Sequence, residues 1–257
     1  MRLFACLTAM FLALTPVAYA QEVAPNREDI IRLLARMDEF VPLRQDFIRM
    51  GFQGENLELA LDQHARVFGD RDIGGFVADR LIGAFSGSLP GAAETGGLLG
   101  PLIDRGIGHV PTRDLVYFYR VENTVFRALP YRECGLAVKQ RLSDRRLADA
   151  TARAAARLNT PALREYYRIQ YNAARLGLTR EAVRLSPDRT AQIEARIGEE
   201  LFKRTGDGEA RNLIRMFENP RGVTNRQACE AGRTIMQTVM TLEGRELRDA
   251  LIYFSSP

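Results

Sequence analysis

The stretch "TRDLVYFYRVENTVFRALP", residues 112–130, decides the fold class because its apolar side chains recur at helical spacing. At about 100° per residue, these side chains gather on one face of a helix, while arginines occupy the other. Glu122 lies in the middle of the apolar face. We therefore predict a buried amphipathic helix with one inward carboxylate, set among Leu115, Phe118, Tyr119, Val125, Phe126 and Leu129.

The same helical spacing recurs along the chain between recognisable start and stop signals. Asn26, Thr160 and Ser186 are suited to cap the N-termini of helices, and the prolines that follow Thr160 and Ser186 suit a first helical turn. Gly177 is expected to end the helix that begins at Thr160. No segment has the period-two alternation of a strand. We predict an all-α protein, a single irregular multi-helix bundle of about eight to eleven helices spanning residues 21–257.

The first twenty residues, "MRLFACLTAMFLALTPVAYA", are typical of a secretory signal peptide. Arg2 provides the positive start, Leu3–Leu14 form an apolar run, and residues 18–20 match the A-x-A cleavage pattern. The apolar run is too short to span a bilayer as a helix. We expect cleavage before Gln21 and a periplasmic or secreted protein.

Composition excludes several classes of function. Apolar residues make up 46 % and charged residues 26 % of the chain, the shares of an ordinary globular protein. The net charge is +4, and nearly all positive charge is arginine, with only Lys139 and Lys203 as lysines. Because the arginines alternate with acids, the sequence lacks a nucleic-acid-binding patch, and we expect no nucleic acid as partner.

Two cysteines, Cys134 and Cys229, lie beyond the signal peptide. An even pair in an exported protein indicates one disulfide, here between two helices. Such a bridge needs the Cα atoms within about 7 Å. Small neighbours agree with this close approach: Gly135, Ala137, Ala228, Ala231 and Gly232. Two buried thiols or an intermolecular bridge are the competing interpretations.

Residues 73–111 differ from the rest because they are apolar and rich in glycine. We interpret them as a Gly-rich hairpin or connector whose glycines permit close packing or turns. The alternative is a moving part that opens onto a partner or a membrane surface. Asp79, Arg80 and Glu94 argue against true insertion into the bilayer.

The common catalytic motifs are missing, and with only two histidines we expect neither a metal site nor a cofactor. Helical face counting nevertheless points three titratable residues inward, namely Glu122, Glu194 and His64. A desolvated glutamate with a raised pKa can act as a general acid. One hypothesis is therefore a cell-envelope hydrolase or lyase that acts on cell-wall glycan through Glu122.

A structural explanation of Glu122 competes with the catalytic one. A buried carboxylate must be protonated, hydrogen-bonded or paired. Arg141 is the expected partner, with Gln170 and Tyr167 completing a buried polar network that fixes helix register.

A separate group on the helix after Thr160 combines positive charge with an aromatic ring. Arg164, Arg168, Tyr171 and Arg175 line one flank of this helix and form a candidate face for an anionic ligand. The alternative is a solvated helix face whose arginines are compensated by nearby acids.

Together these observations favour an exported, non-catalytic helical protein that binds a partner protein, peptide or other envelope component. The hydrolase or lyase is the first alternative. Association with a membrane surface through the Gly-rich segment is the second.

Overall fold

A computed structural model of the chain describes residues 26–39, 41–85, 98–142 and 144–255. The predicted signal peptide, residues 1–20, lies outside these ranges. Within them all regular secondary structure is helical and no strand occurs, so the all-α fold class is confirmed.

The described residues form thirteen α-helices and two short 3₁₀ helices, more than the eight to eleven expected. The α-helices are α1 (Arg27–Ala35), α2 (Val41–Arg49), α3 (Gly54–Gly69), α4 (Arg71–Phe85), α5 (Gly100–Ile107), α6 (Thr112–Ala128), α7 (Tyr131–Val138), α8 (Asp144–Ala155), α9 (Thr160–Thr179), α10 (Pro187–Thr205), α11 (Asp207–Glu218), α12 (Asn225–Val239) and α13 (Gly244–Ser255). The 3₁₀ helices are Met37–Glu39 and Pro220–Gly222.

Two of the predicted N-caps are confirmed. The Asn26 side chain accepts a hydrogen bond from the Asp29 backbone N–H at 2.9 Å, and the Ser186 hydroxyl accepts one from the Arg189 N–H at 3.3 Å. Such caps satisfy N–H groups that have no partner within the helix. In α9 the capping residue is Asn159 rather than the predicted Thr160.

Two groups of helices share one hydrophobic core. In the first, α3, α4, α5 and α6 pack around α9; in the second, α6, α7, α10, α11 and α13 pack around α12. Because α6 belongs to both groups, it crosses the middle of the molecule, and its side chains Leu115, Phe118 and Tyr119 are almost completely buried.

The closest helix pair is α5 with α9, where two glycines let the backbones touch. A Cβ atom added at Gly106 would overlap the backbone carbonyl of Ala173, and one at Gly177 would overlap that of Leu102. The prediction that Gly177 ends its helix is wrong, since α9 continues to Thr179. This glycine serves close approach of α5 instead of chain termination.

The disulfide between Cys134 of α7 and Cys229 of α12 is present, with a Cα–Cα distance of 5.2 Å. Both cysteines are completely buried. The predicted small neighbours explain the close approach: a Cβ atom at Gly135 would overlap the backbone of Asn225, and one at Gly232 would crowd Val138.

The Gly-rich segment 73–111 is described at both ends. Its first part lies in α4 and its last part includes α5, and both helices pack against α9. The central residues, 86–97, lie outside the described ranges. None of the described helices has the length and apolar character needed to cross a membrane.

Candidate functional site

Glu122 lies buried between α6 and α9, with 5 % of its surface exposed. The phenolic O–H of Tyr166, on α9, donates a hydrogen bond to Glu122 Oε1. The Tyr166 ring stacks on Phe118 with ring centroids 5.4 Å apart, which holds the hydroxyl in place. The carboxyl group therefore has a fixed, neutral hydrogen-bond donor.

Burial raises the pKa of Glu122 to about 8, although the hydrogen bond from Tyr166 opposes the shift. The negative charge of Asp104, on α5, raises this pKa further. Burial also raises the pKa of the neighbouring Tyr119. Near neutral pH, Glu122 is thus mainly a neutral carboxylic acid.

The expected pairing of Glu122 with Arg141 is wrong. Arg141 is exposed in the turn after α7, where its backbone N–H donates to the Leu136 carbonyl oxygen. Its side chain forms neither an ion pair nor a hydrogen bond with Glu122, which is buried. Tyr166, and not the expected arginine, is the partner of Glu122. A protonated carboxyl group needs hydrogen bonds but no opposite charge, so a tyrosine is sufficient.

The other expected network members, Gln170 and Tyr167, are both buried on α9. Gln170 lies one helical turn after Tyr166, and its Oε1 accepts no hydrogen bond from the described residues. Burial raises the pKa of Tyr167. It is Tyr166, one residue earlier, that contacts Glu122. The buried polar group is therefore centred on Glu122 and Tyr166.

His64 and Glu194 do not join Glu122. His64 is buried on α3, where its ring lies 4.4 Å from that of Phe68 between centroids. Glu194 is exposed on α10 rather than buried, and its Oε1 accepts a hydrogen bond from the Tyr253 hydroxyl at 2.8 Å. The three candidate catalytic residues thus have separate neighbours on separate helices.

The predicted anionic-ligand face on α9 is occupied by acids from within the molecule. Arg168 Nη2 lies 2.7 Å from Asp114 Oδ2 and also 2.7 Å from Glu165 Oε1. Hydrogen bonds with Glu165 and then Asp114 raise the pKa of Arg168. The other members are similarly engaged: Arg164 Nη2 lies 2.6 Å from Glu55 Oε1, and Tyr171 Oη and Arg175 Nη1 lie 2.8 and 2.9 Å from Asp70 Oδ2. This compensation leaves little positive charge for an anionic ligand.

A different surface remains open between α7 and α8. These helices make few direct contacts and leave a groove of about 360 Å³, near the lower end of the range for ligand pockets. Two leucines supply its apolar surface and five charged residues the rest. The lining residues are Arg132, Glu133, Leu136, Leu142, Arg146, Asp149 and Arg153, hereafter the α7–α8 groove.

The charges of the α7–α8 groove have no counterpart within the described part of the chain. None of its three arginines and two acids forms an ion pair or side-chain hydrogen bond with a described residue, whereas the α9 arginines are all paired. Glu133 and Asp149 are half-buried, and the arginines are exposed. The groove therefore presents charged groups that an external partner can satisfy.

Sequence reasoning missed this groove, although one signal was available. Arg146, Asp149 and Arg153 follow one another at intervals of three and four residues, which places them on one face of a helix. The position of α7 beside that face could not be read from the spacing.

Among the residues that the structure describes, no group of three or more His, Cys, Asp or Glu side chains is arranged to hold a metal ion. Comparison with known protein families, with curated proteins and with solved structures gives no significant match for this chain.

Proposed function

We propose that this chain is an exported, non-catalytic helical protein that binds a partner protein or peptide of the cell envelope through the α7–α8 groove. The charges of the groove, which have no partner among the described residues, carry this proposal. An arginine and a carboxylate on neighbouring helices commonly compensate one another, as Arg168 and Asp114 do at 2.7 Å. A groove that holds charges of both signs, without such pairs in the described part of the chain, is suited to a partner that brings the complementary charges.

The arginines of the groove can contribute more free energy to binding a partner than to stabilising the fold. Exposed ion pairs contribute at most about 1 kcal/mol to stability, so folding gains little from the arginines of the groove. At an interface the same side chains become desolvated together with a complementary group, and arginine then often contributes strongly. Leu136 and Leu142 add apolar surface beneath the charges.

The test is capture of crosslinked partners from the native envelope with the exported full-length chain and with a double variant, Asp149→Arg and Arg153→Glu. This variant keeps the net charge of the groove and exchanges the signs of the charges at positions 149 and 153. Asp62→Arg is the control because Asp62 is exposed on α3 and has no ion pair among the described residues. A partner retained by the wild type and the control but lost by the groove variant supports the proposal. Equal recovery by all three proteins contradicts it.

A second candidate, a hydrolase or lyase with Glu122 as general acid, is favoured by one observation, the pKa of about 8. Against it, a general acid must come within about 3 Å of the group that it protonates. Glu122 is 5 % exposed and already engaged by Tyr166. Release of soluble fragments from purified cell-wall glycan by the wild type, abolished in Glu122→Gln, would support this candidate; no release by either protein would exclude it for that substrate.

A further inference from the structure

We propose that the α7–α8 groove recognises a helical segment of its partner that carries an acidic, a basic and an acidic side chain on successive turns of one face. This inference rests on the proposed function, since it assigns the chemistry of the partner at the same groove. It follows from the order and spacing of the charges on the groove walls.

The charge order is set by α8, where Asp149 lies between Arg146 and Arg153. With a rise of about 1.5 Å per residue, the two intervals measure about 4.5 and 6 Å along the helix axis. A partner of complementary sign must therefore present acid, base and acid along about 10.5 Å.

The spacing favours a helix over an extended peptide as the partner. In a strand, side chains on the same face repeat about every 6.6 Å, so three of them span about 13 Å. In a helix, side chains at i, i+3 or i+4, and i+7 span about 10.5 Å with the same unequal intervals as α8. A helix therefore matches the spacing of Arg146, Asp149 and Arg153 more closely than a strand does.

The α7 wall of the groove also favours a basic residue at the central position of the partner helix. Glu133, on α7, is half-buried like Asp149, so the groove offers two carboxylates to the basic side chain. Leu136 and Leu142 provide apolar surface against which the methylene groups of a lysine or arginine can pack. The exposed arginines then meet the flanking acids at the rim, where charge pairs mainly promote association and specificity.

The size of the groove agrees with this occupant. A volume of about 360 Å³ accommodates a few side chains and leaves the backbone of the partner helix above the groove. This volume lies near the lower end of the range of about 300–1,000 Å³ that ligand pockets have.

The experiment uses the mature chain and fluorescein-labelled, alanine-rich helical peptides in anisotropy titrations. Two probes carry Glu at i and i+7 with Lys at either i+3 or i+4, one for each direction of the partner helix. The sign-reversed control carries Lys, Glu and Lys at the same positions. We expect one acid–base–acid probe to bind about tenfold or more tightly than its reversed counterpart, with affinity falling as salt is added.

Reversing the charge at position 149 and at the central position of the peptide provides the decisive comparison. Asp149→Arg should weaken the acid–base–acid probe and strengthen a peptide whose central lysine is replaced by glutamate, whereas Asp62→Arg should change neither. Circular dichroism and an intact disulfide verify that each variant is folded. No binding of either probe at about 1 mM, or equal affinity for the reversed peptide, overturns the proposed partner chemistry. Envelope capture can still succeed in that case, so the two proposals fail independently.

Discussion

Tyr166 donates its phenolic hydrogen bond to Glu122 Oε1 across the interface of α6 and α9, and this bond takes the place of a salt bridge. The carboxyl group is buried by both helices and lies within the electrostatic influence of Asp104. Burial first, and then the charge of Asp104, raise its pKa from 4.5 to about 8. The interface consequently favours the neutral acid.

Stability should therefore fall as pH rises from about 4.5 to about 8. Over this window Glu122 is ionised in the unfolded chain and protonated in the folded one, so unfolding releases a proton. Its contribution to the free energy of unfolding falls by up to about 1.4 kcal/mol per pH unit and levels off above the folded pKa.

Urea unfolding at about pH 5, 7 and 9 measures this effect as a difference between the wild type and Glu122→Gln. In the glutamine variant, the free energy of unfolding should fall less steeply with pH, because the contribution of Glu122 is missing. Identical pH profiles for the two proteins would show that Glu122 does not titrate in this window. The hydrogen bond from Tyr166 lowers the pKa of Glu122, so Tyr166→Phe should raise this pKa. The fall in the free energy of unfolding should then continue to higher pH than in the wild type.

Gly106→Ala and Gly177→Ala should each destabilise the protein by about 3 kcal/mol or more. The added methyl group meets backbone atoms of the facing helix, which cannot move aside as a flexible side chain does. Thermal unfolding followed by circular dichroism measures the loss. Gly198→Ala is the matched control: no atom lies within 4 Å of its added Cβ, so the substitution should stabilise α10 by up to about 1 kcal/mol. Equal effects of the three substitutions would contradict the close contact of α5 and α9.

Removal of the disulfide should lower the free energy of unfolding by about 2–5 kcal/mol. The bond joins residues 95 positions apart and so restricts a long loop in the unfolded chain. Cys134→Ser and Cys229→Ser should each abolish the mobility difference between reduced and non-reduced samples on a gel. Dimers on the non-reducing gel of the wild type would instead indicate an intermolecular bridge.

Exported protein should begin at Gln21, as determined by N-terminal sequencing of material recovered from the periplasm or medium. The A-x-A pattern at residues 18–20 requires small side chains at both alanine positions. Ala18→Arg combined with Ala20→Arg should therefore leave the precursor uncleaved. Recovery of a chain that still starts at Met1 from wild-type cells would refute the assignment.

Local patterns in the sequence were sufficient for the helical class, two N-caps and the disulfide. Asn26 and Ser186 act on residues three positions away, and the small neighbours of Cys134 and Cys229 report directly on close packing. The caps depend on residues that are close in sequence, and the disulfide could be assigned because only two cysteines follow the predicted signal peptide.

Features that depend on the arrangement of helices could not be predicted in the same way. The helical phase of α6 places Glu122 inward but does not reveal that Tyr166, 44 residues later, faces it. Glu194 lies at the edge of an apolar face, where a small rotation of the helix decides between burial and exposure. The α7–α8 groove likewise exists only because α8 lies beside α7 with few direct contacts.

The disulfide has a consequence for the groove because Cys134 directly follows Glu133 in α7. The covalent bond to α12 anchors one wall of the groove, whereas the other wall, α8, contains no cysteine. Disulfides form in oxidising compartments and not in the reducing cytosol. In the proposed exported protein, the precursor would therefore leave the cytosol with an unanchored wall, and oxidation after export would give the binding surface its final shape.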